Sequence, residues 1–271
     1  VSLIHLDLFS GVGGFHLASK LAGIRFDHTY YSDIEPFANE VYAKNFPQSV
    51  PLGDIRTIDG HKLRQQHPDA TWIVTGGFPC QDISQAGTRT GLAGSRSGLW
   101  FEMLRIIHGV RPRAIIAENV AALCRNGLDR VLISLAQIGY DAEWQIISAA
   151  SVGAPHLRER MWIVAYPSIA DTCLHRCEHH QSSQQTPQEC VGNGQHSYAE
   201  NEALPDWTNW TRVATEAAIH SEPALYRVDD GSTEELDRRL SRIKACGNAI
   251  VPQVAAGVFR ALKASGILEA E

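Results

Sequence analysis

The chain opens with Leu3-Ile4-His5-Leu6-Asp7-Leu8-Phe9, then Ser10-Gly11-Val12-Gly13-Gly14, then an apolar pattern through Phe15, Leu17, Ala18 and Leu21. A short apolar run, a glycine turn and a helical period in that order predict a strand feeding directly into a helix. Such a strand can be rejoined by the next one only through a crossover, which commits the chain to parallel pairing with helices layered on the sheet. The same grammar recurs. Asp27 to Tyr31, Thr71 to Thr75 and Ala114 to Val120 read as further interior strands, with helix-patterned segments between them. The expected fold is therefore α/β, a doubly wound Rossmann-like domain whose ligands bind beyond the carboxyl ends of its strands.

Those strand ends carry the chemistry-bearing residues. The glycine turn lets backbone amides at a helix start approach a polar cofactor group. Its spacing is Gly-x-Gly-Gly, with His16 where a dinucleotide fingerprint needs a third glycine, which argues against nicotinamide. Asp33 and Glu35 follow the second strand, about twenty residues on, where an acid can hold a ribose hydroxyl pair. Glu35 is the better candidate for capping the helix that Pro36 opens. A third short strand is expected to finish at Gly53-Asp54-Ile55, adding Asp54 on the same side of the sheet. The fourth delivers Gly76-Gly77-Phe78-Pro79-Cys80-Gln81, in which the glycines break the strand and Pro79 stiffens the chain before a thiol. Taken by itself, Cys80 reads equally well as a buried small hydrophobe or as a nucleophile. Residues 85–97 hold three glycines and four hydroxyl residues with Arg89 and Arg96, a cationic loop expected beside that thiol. Glu118 ends an otherwise apolar strand that should adjoin the one bearing Cys80, where a carboxylate needs either a partner or a role. Arg158 and Arg160 alternate, which puts both on one face if the backbone is extended.

The net charge of −6 has one source: between Tyr166 and Tyr226 eight acids stand against two arginines and no lysine. A nucleic-acid surface is to be sought mainly elsewhere. Six scattered cysteines fit a reducing compartment. No run of eighteen apolar residues and no basic-then-apolar leader occurs, so no membrane association and a cytoplasmic location are expected. From Pro167 to about Val228 the periodicity fades into polar, low-complexity sequence. Cys173, His175, Cys177, His179, His180, Cys190 and His196 lie there, but without a Cys-x2-Cys pair they define no ligand set, and no metal is expected. Residues 234–243 read as a charged amphipathic helix. The final apolar helix, through Val254, Val258 and Leu262, needs a core to bury against. Packing near the first strand would return Asn248 to the glycine turn.

Taken together, Asp7 to Gly14, Gly53-Asp54-Ile55, Gly77 to Gln81, Glu118-Asn119-Val120, Arg158-Glu159-Arg160 and Gly247-Asn248-Ala249-Ile250-Val251-Pro252 resemble the DNA (cytosine-5) methyltransferases in content and order, from Leu6 to Val258. The resemblance implies a site-specific enzyme, of the kind found in bacterial or phage modification systems, that transfers a methyl group from S-adenosyl-L-methionine to C5 of a cytosine flipped from double-stranded DNA. It implies residues 1–166 as the catalytic and cofactor-binding domain, 167–240 as a small inserted target-recognition domain, and 241–271 as a C-terminal segment returning to the first. Cys80 would be the nucleophile on cytosine C6, Glu118 the partner of N3 and the amino group, and Arg160 that of O2, with Arg158 supporting the catalytic site. Phe9, Gly11, Gly13, Gly14, Asp33, Ile34, Asp54, Ile55, Gly77, Pro79, Leu99, Asn248 and Ala249 would hold the cofactor, and Gln81, Ser84, Arg89 and Arg96 the DNA. A monomer is expected, with a separately encoded restriction endonuclease as a possible companion. The family's arginine-rich motif is not plainly matched; Leu240 to Lys244 stands in its place. Two alternatives share these features: an RNA (transfer RNA) cytosine methyltransferase, and a cofactor-binding, DNA-binding regulator without catalysis.

Overall fold

The computed structural model describes residues 1–79, 98–168, 241 and 244–268. Cys80, Gln81, Ser84, Arg89 and Arg96, the expected recognition segment and most of the basic 234–243 stretch lie outside them. The described residues form a seven-stranded sheet: β1 (Leu3–Leu8), β2 (His28–Ser32), β3 (Val50–Pro51), β4 (Thr71–Gly77), β5 (Ala114–Val120), β6 (Tyr140–Ile147) and β7 (Arg160–Pro167). Their order is β3-β2-β1-β4-β5-β7-β6. The first five pair in parallel, and β7 runs antiparallel to both β5 and β6.

Both faces are covered, as the winding predicts. α1 (Gly14–Leu21) and α6 (Pro252–Ala264) bury Phe15, Ala18, Val258, Phe259 and Leu262 on one face against Ile73, Ile116 and Val164. On the other, α3 (Gly60–Gln66), α4 (Leu99–Val110) and α5 (Leu128–Gln137) bury Leu63, Trp100, Met103, Ile107, Val131 and Leu135 against Leu6, Val74 and Ile115. α2 (Pro36–Asn45) packs Tyr42 and Phe46 on Tyr31. The last helix does return to the first strand's neighbourhood: a Cβ on Gly14 would lie 2.5 Å from Ile250, and Phe259 meets the His5 ring edge-on. Among the described residues no helix is long and apolar enough to cross a membrane.

Several local expectations change. β3 is assigned only to Val50–Pro51, and Leu52 N–H still donates to the Tyr31 carbonyl at 2.8 Å; Gly53 then turns the chain away at φ 73°, and Asp54 instead caps a 3-10 turn over Ile55–Thr57. Helix α3 was not foreshadowed by an apolar period; Asp59 nucleates it by accepting from the amides of His61 and Lys62. Glu35 does occupy the N-cap of α2, yet its side chain accepts no backbone amide and instead pairs with Lys244 at 2.7 Å. The Arg158–Arg160 stretch is not extended throughout, because Arg158 takes φ 35°.

Candidate active site

The strand order reverses between β1 and β4, and a cleft of about 930 Å³ opens there, at the carboxyl ends of β1, β2, β4 and β5. Two of its walls differ in construction. At the β1–β2 end the backbone leaves β1 through Phe9 at φ 52° and Gly11 at φ 51°. A left-handed aromatic residue costs about 1 kcal/mol, so the surroundings must hold this turn in place. They do so in three ways. Asp33 accepts from the Gly11 amide with Oδ2 and from the Glu35 amide with Oδ1, both at 2.8 Å. Gly13, at φ 90°, presses so closely on α2 that a Cβ would sit 2.5 Å from the Phe46 ring. Beneath the turn lies Asp7, wholly buried: Thr75 donates to its Oδ1 at 2.9 Å and Tyr42 to its Oδ2 at 3.4 Å. Burial pushes the Asp7 carboxyl well above its ordinary range. His5 Nε2 lies 2.8 Å from Thr75 Oγ1, which extends this buried chain of polar groups along β1.

At the β4–β5 end the wall is made of charge. Gly77 and Glu118 stand opposite each other in the ladder, and a Cβ on Gly77 would come within 3.3 Å of Glu118 Oε2. Glu118 is 8% exposed, and Arg160, at the start of β7, places Nε 3.0 Å from its Oε1. Desolvation raises the Glu118 pKa to about 7 against the opposing pull of Arg160 and Arg158, so the buried carboxyl is poised between its two forms at neutral pH. Asn119, also buried, donates Nδ2 to the Phe78 carbonyl at 2.8 Å and accepts from the Val120 amide. Pro79 lacks the N–H that would prolong the β4 ladder. The amide of Asn119 thus holds the chain one residue before Pro79 and two before Cys80.

Of the residues expected from sequence, Phe9, Gly11, Asp33, Ile34, Asp54, Ile55, Gly77, Pro79, Leu99, Glu118, Arg160, Asn248 and Ala249 line this one cleft. Gly13, Gly14 and Arg158 do not. The two glycines serve packing against Phe46 and Ile250, and the Arg158 guanidinium binds backbone carbonyls of Gly247 and Ala249. Asp54 is engaged by Arg56 through both carboxylate oxygens, and the hydrogen bonds from the Arg56 side chain and amide lower the Asp54 pKa. Sequence reasoning missed Ser32, Phe78, Glu102, Ser241 and Lys244 as lining residues, and Asn119 as a brace. Asn119 sits inside a quoted motif, whereas nothing in the sequence around Ser241 signals a cleft wall.

A family model described as "C-5 cytosine-specific DNA methylase" matches residues 3–240. The chain belongs to that family. Among curated relatives it is 37% identical over 169 residues to the type II methyltransferase M1.ScrFI of Lactococcus lactis subsp. cremoris, covering 59% of this chain and 41% of that one. It is 32% identical over 165 residues to the type II methyltransferase M.HhaI of Haemophilus parahaemolyticus, covering 59% and 48%. The chain thus spans less than half the length of these relatives. Its fold is that of S. pombe Dnmt2 methyltransferase, with a TM-score of 0.55 at 20% identity over 97% of this chain and 99% of that one. Spodoptera frugiperda DNMT2 is similar with a TM-score of 0.52 at 24% identity, over 62% and 51%.

The cleft fits the cofactor that this family implies. Gly11 meets nothing within 4 Å where a side chain would begin, leaving its backbone open to a ligand. Ile34, a large apolar residue, is 68% exposed on the cleft, a free face for a planar ring. The carboxylate of Asp33, just past β2, lines the same cleft, as does Asp54, which is held by Arg56.

Proposed function

We propose that the chain is a DNA cytosine-C5 methyltransferase working through Cys80, with cofactor and flipped base at opposite ends of the cleft. The observation that carries the reading is the buried Glu118, paired with a partly exposed Arg160, beside Gly77 and Pro79. On this reading the Cys80 thiolate adds to cytosine C6 while Glu118, already half protonated near neutrality, gives a proton to N3. An unshifted glutamic acid of pKa about 4.3 would have to be protonated at pH 7 at a cost of roughly 3.7 kcal/mol. Burial of Glu118 removes most of that cost in advance. Arg160 donates to the base O2 and stabilises the carboxylate left once the proton has moved. Addition at C6 makes C5 nucleophilic. S-adenosylmethionine, when bound, supplies the methyl group at C5. Loss of the C5 proton and expulsion of the thiolate then restore the aromatic ring.

Phe9 and the Gly11 backbone line the methionine end of the cofactor site, Asp33 the ribose, and Ile34 the adenine face, with Asp54 at its amino group, Ile55 and Leu99 beside it and Asn248 and Ala249 closing the wall. Gln81, Ser84, Arg89 and Arg96 are assigned to DNA, and residues 167–240 to target recognition. A separately encoded endonuclease as companion and a cytoplasmic setting follow from the same reading, since the curated relatives are named type II methyltransferases. Tritiated S-adenosylmethionine offered with duplex DNA or with total transfer RNA tests the assignment: label enters DNA if it is right, and label in RNA alone overturns it.

A further inference from the structure

Arg158 lies two residues from Arg160, yet the two guanidinium groups go to different places. Arg160 reaches Glu118 at the base end of the cleft. Arg158 leaves the strand direction at φ 35° and donates Nη2 to the carbonyls of Gly247, at 2.8 Å, and Ala249, at 2.6 Å. Those two carbonyls flank Asn248, which lines the cleft, while Arg158 itself does not. The arrangement is costly. A non-glycine residue at positive φ is strained, and Arg158 Nε is buried with no hydrogen-bond partner among the described residues. A residue that merely decorated the surface would not hold such a posture, because water would satisfy its nitrogens. What the posture achieves is a link: its backbone leads into β7 and Arg160, and its side chain grips the 247–249 segment. Just before that segment, Lys244 pairs with Glu35 at the start of α2, so this stretch of chain is tied both to the α2 N-terminus and to the residues leading into β7.

We propose that Arg158 is a positioning residue that couples the cofactor end of the cleft to the base end, rather than a group that touches the base. The inference rests on the functional reading above. It makes cofactor binding and base engagement mutually reinforcing, since each favours the arrangement in which segment 247–249 and the start of β7 are tied together, and linkage requires the effect to be reciprocal.

Two measurements on the full chain separate the ends. One is the affinity for S-adenosylmethionine by calorimetric titration, with and without duplex DNA. The other is release of tritium from DNA carrying 5-tritiated cytosine in the absence of cofactor. In that exchange the thiolate adds to C6, C5 takes a proton from water, and tritium leaves as the thiolate departs. Arg158→Ala is expected to weaken cofactor binding at least about fivefold and to abolish its enhancement by DNA, while tritium release falls less than about threefold. Arg158→Lys, which keeps the charge and can reach one carbonyl, should fall between. Arg160→Ala should do the reverse: tritium release drops about tenfold or more with cofactor affinity changed less than about twofold. The proposal is overturned if Arg158→Ala loses exchange with its cofactor affinity intact, or if both readouts fall together with the thermal midpoint. Wild-type chain that releases no tritium from DNA and labels none would instead overturn the reaction assigned above, leaving the affinity comparison to judge the tether.

Discussion

The two ends of the cleft are built from different materials. At the β1–β2 end the shape is set by backbone: a left-handed Phe9, a left-handed Gly11, and a carboxylate, Asp33, whose bonds are to main-chain amides. At the β4–β5 end it is set by charge, the buried Glu118 against Arg160, with Asn119 bracing the backbone. A cofactor with many polar groups needs a shaped surface of donors and acceptors, which a backbone turn provides regardless of protonation. A base undergoing attack needs a proton at one atom at one moment, which only a titratable side chain in a low-dielectric site provides. The first end should accordingly be governed chiefly by sterics, with the buried Asp7 beneath it, and the second chiefly by the protonation of Glu118.

The sharpest break of that comparison is at Glu118. Glu118→Gln is expected to reduce kcat by about a hundredfold to ten-thousandfold, measured by label transfer to DNA, with cofactor affinity little changed. The sign of the pH dependence follows from the raised pKa. The protonated form is competent, so wild-type kcat/KM should fall as pH rises through about 7, and this limb should vanish in the variant. A limb that persists in Glu118→Gln would assign it to another group.

At the other end the largest effect is steric. Gly13→Ala places a methyl group 2.5 Å from the Phe46 ring at φ 90°, and should cost about 1–3 kcal/mol, read as a lowered thermal midpoint at every pH. Asp33→Asn is milder. It keeps one acceptor and loses the charge-assisted bond to the other amide, so cofactor affinity should fall about tenfold while cofactor-free tritium release is nearly preserved. Loss of exchange in Asp33→Asn would mean that the two ends are not separable in this way.

How much of this was legible in the sequence also divides along the same line. Strand-turn-helix order follows from apolar period and glycine placement, because those signals are local; the adjacency of the strands carrying Gly77 and Glu118 and the return of the last helix follow from the α/β architecture that order implies. The two-residue β3 was not legible, since a left-handed Gly53 turns the chain out of a strand that composition alone would continue through Asp54. Helix α3 was hidden because its start rests on a cap at Asp59 rather than on an apolar stripe. In the site, Asp33 and Glu118 could be nominated as strand-end acids, but what they bind could not. The sequence places Glu35 at a helix cap, and it stands there, but its side chain pairs with Lys244, 209 residues away along the chain. The same applies to Arg158, whose alternation with Arg160 suggested a shared face until a single left-handed φ separated them.

The central claim is that this cleft presents a cytosine to the thiol just beyond Pro79. Its most direct test is incubation with S-adenosylmethionine and random-sequence duplex DNA containing 5-fluorocytosine, followed by denaturing electrophoresis and intact mass measurement. Fluorine at C5 cannot leave as a cation, so the account predicts a denaturation-resistant adduct in the wild-type chain and none in Cys80→Ala. An adduct of equal yield in Cys80→Ala, or methyl transfer to normal DNA by that variant, would contradict it.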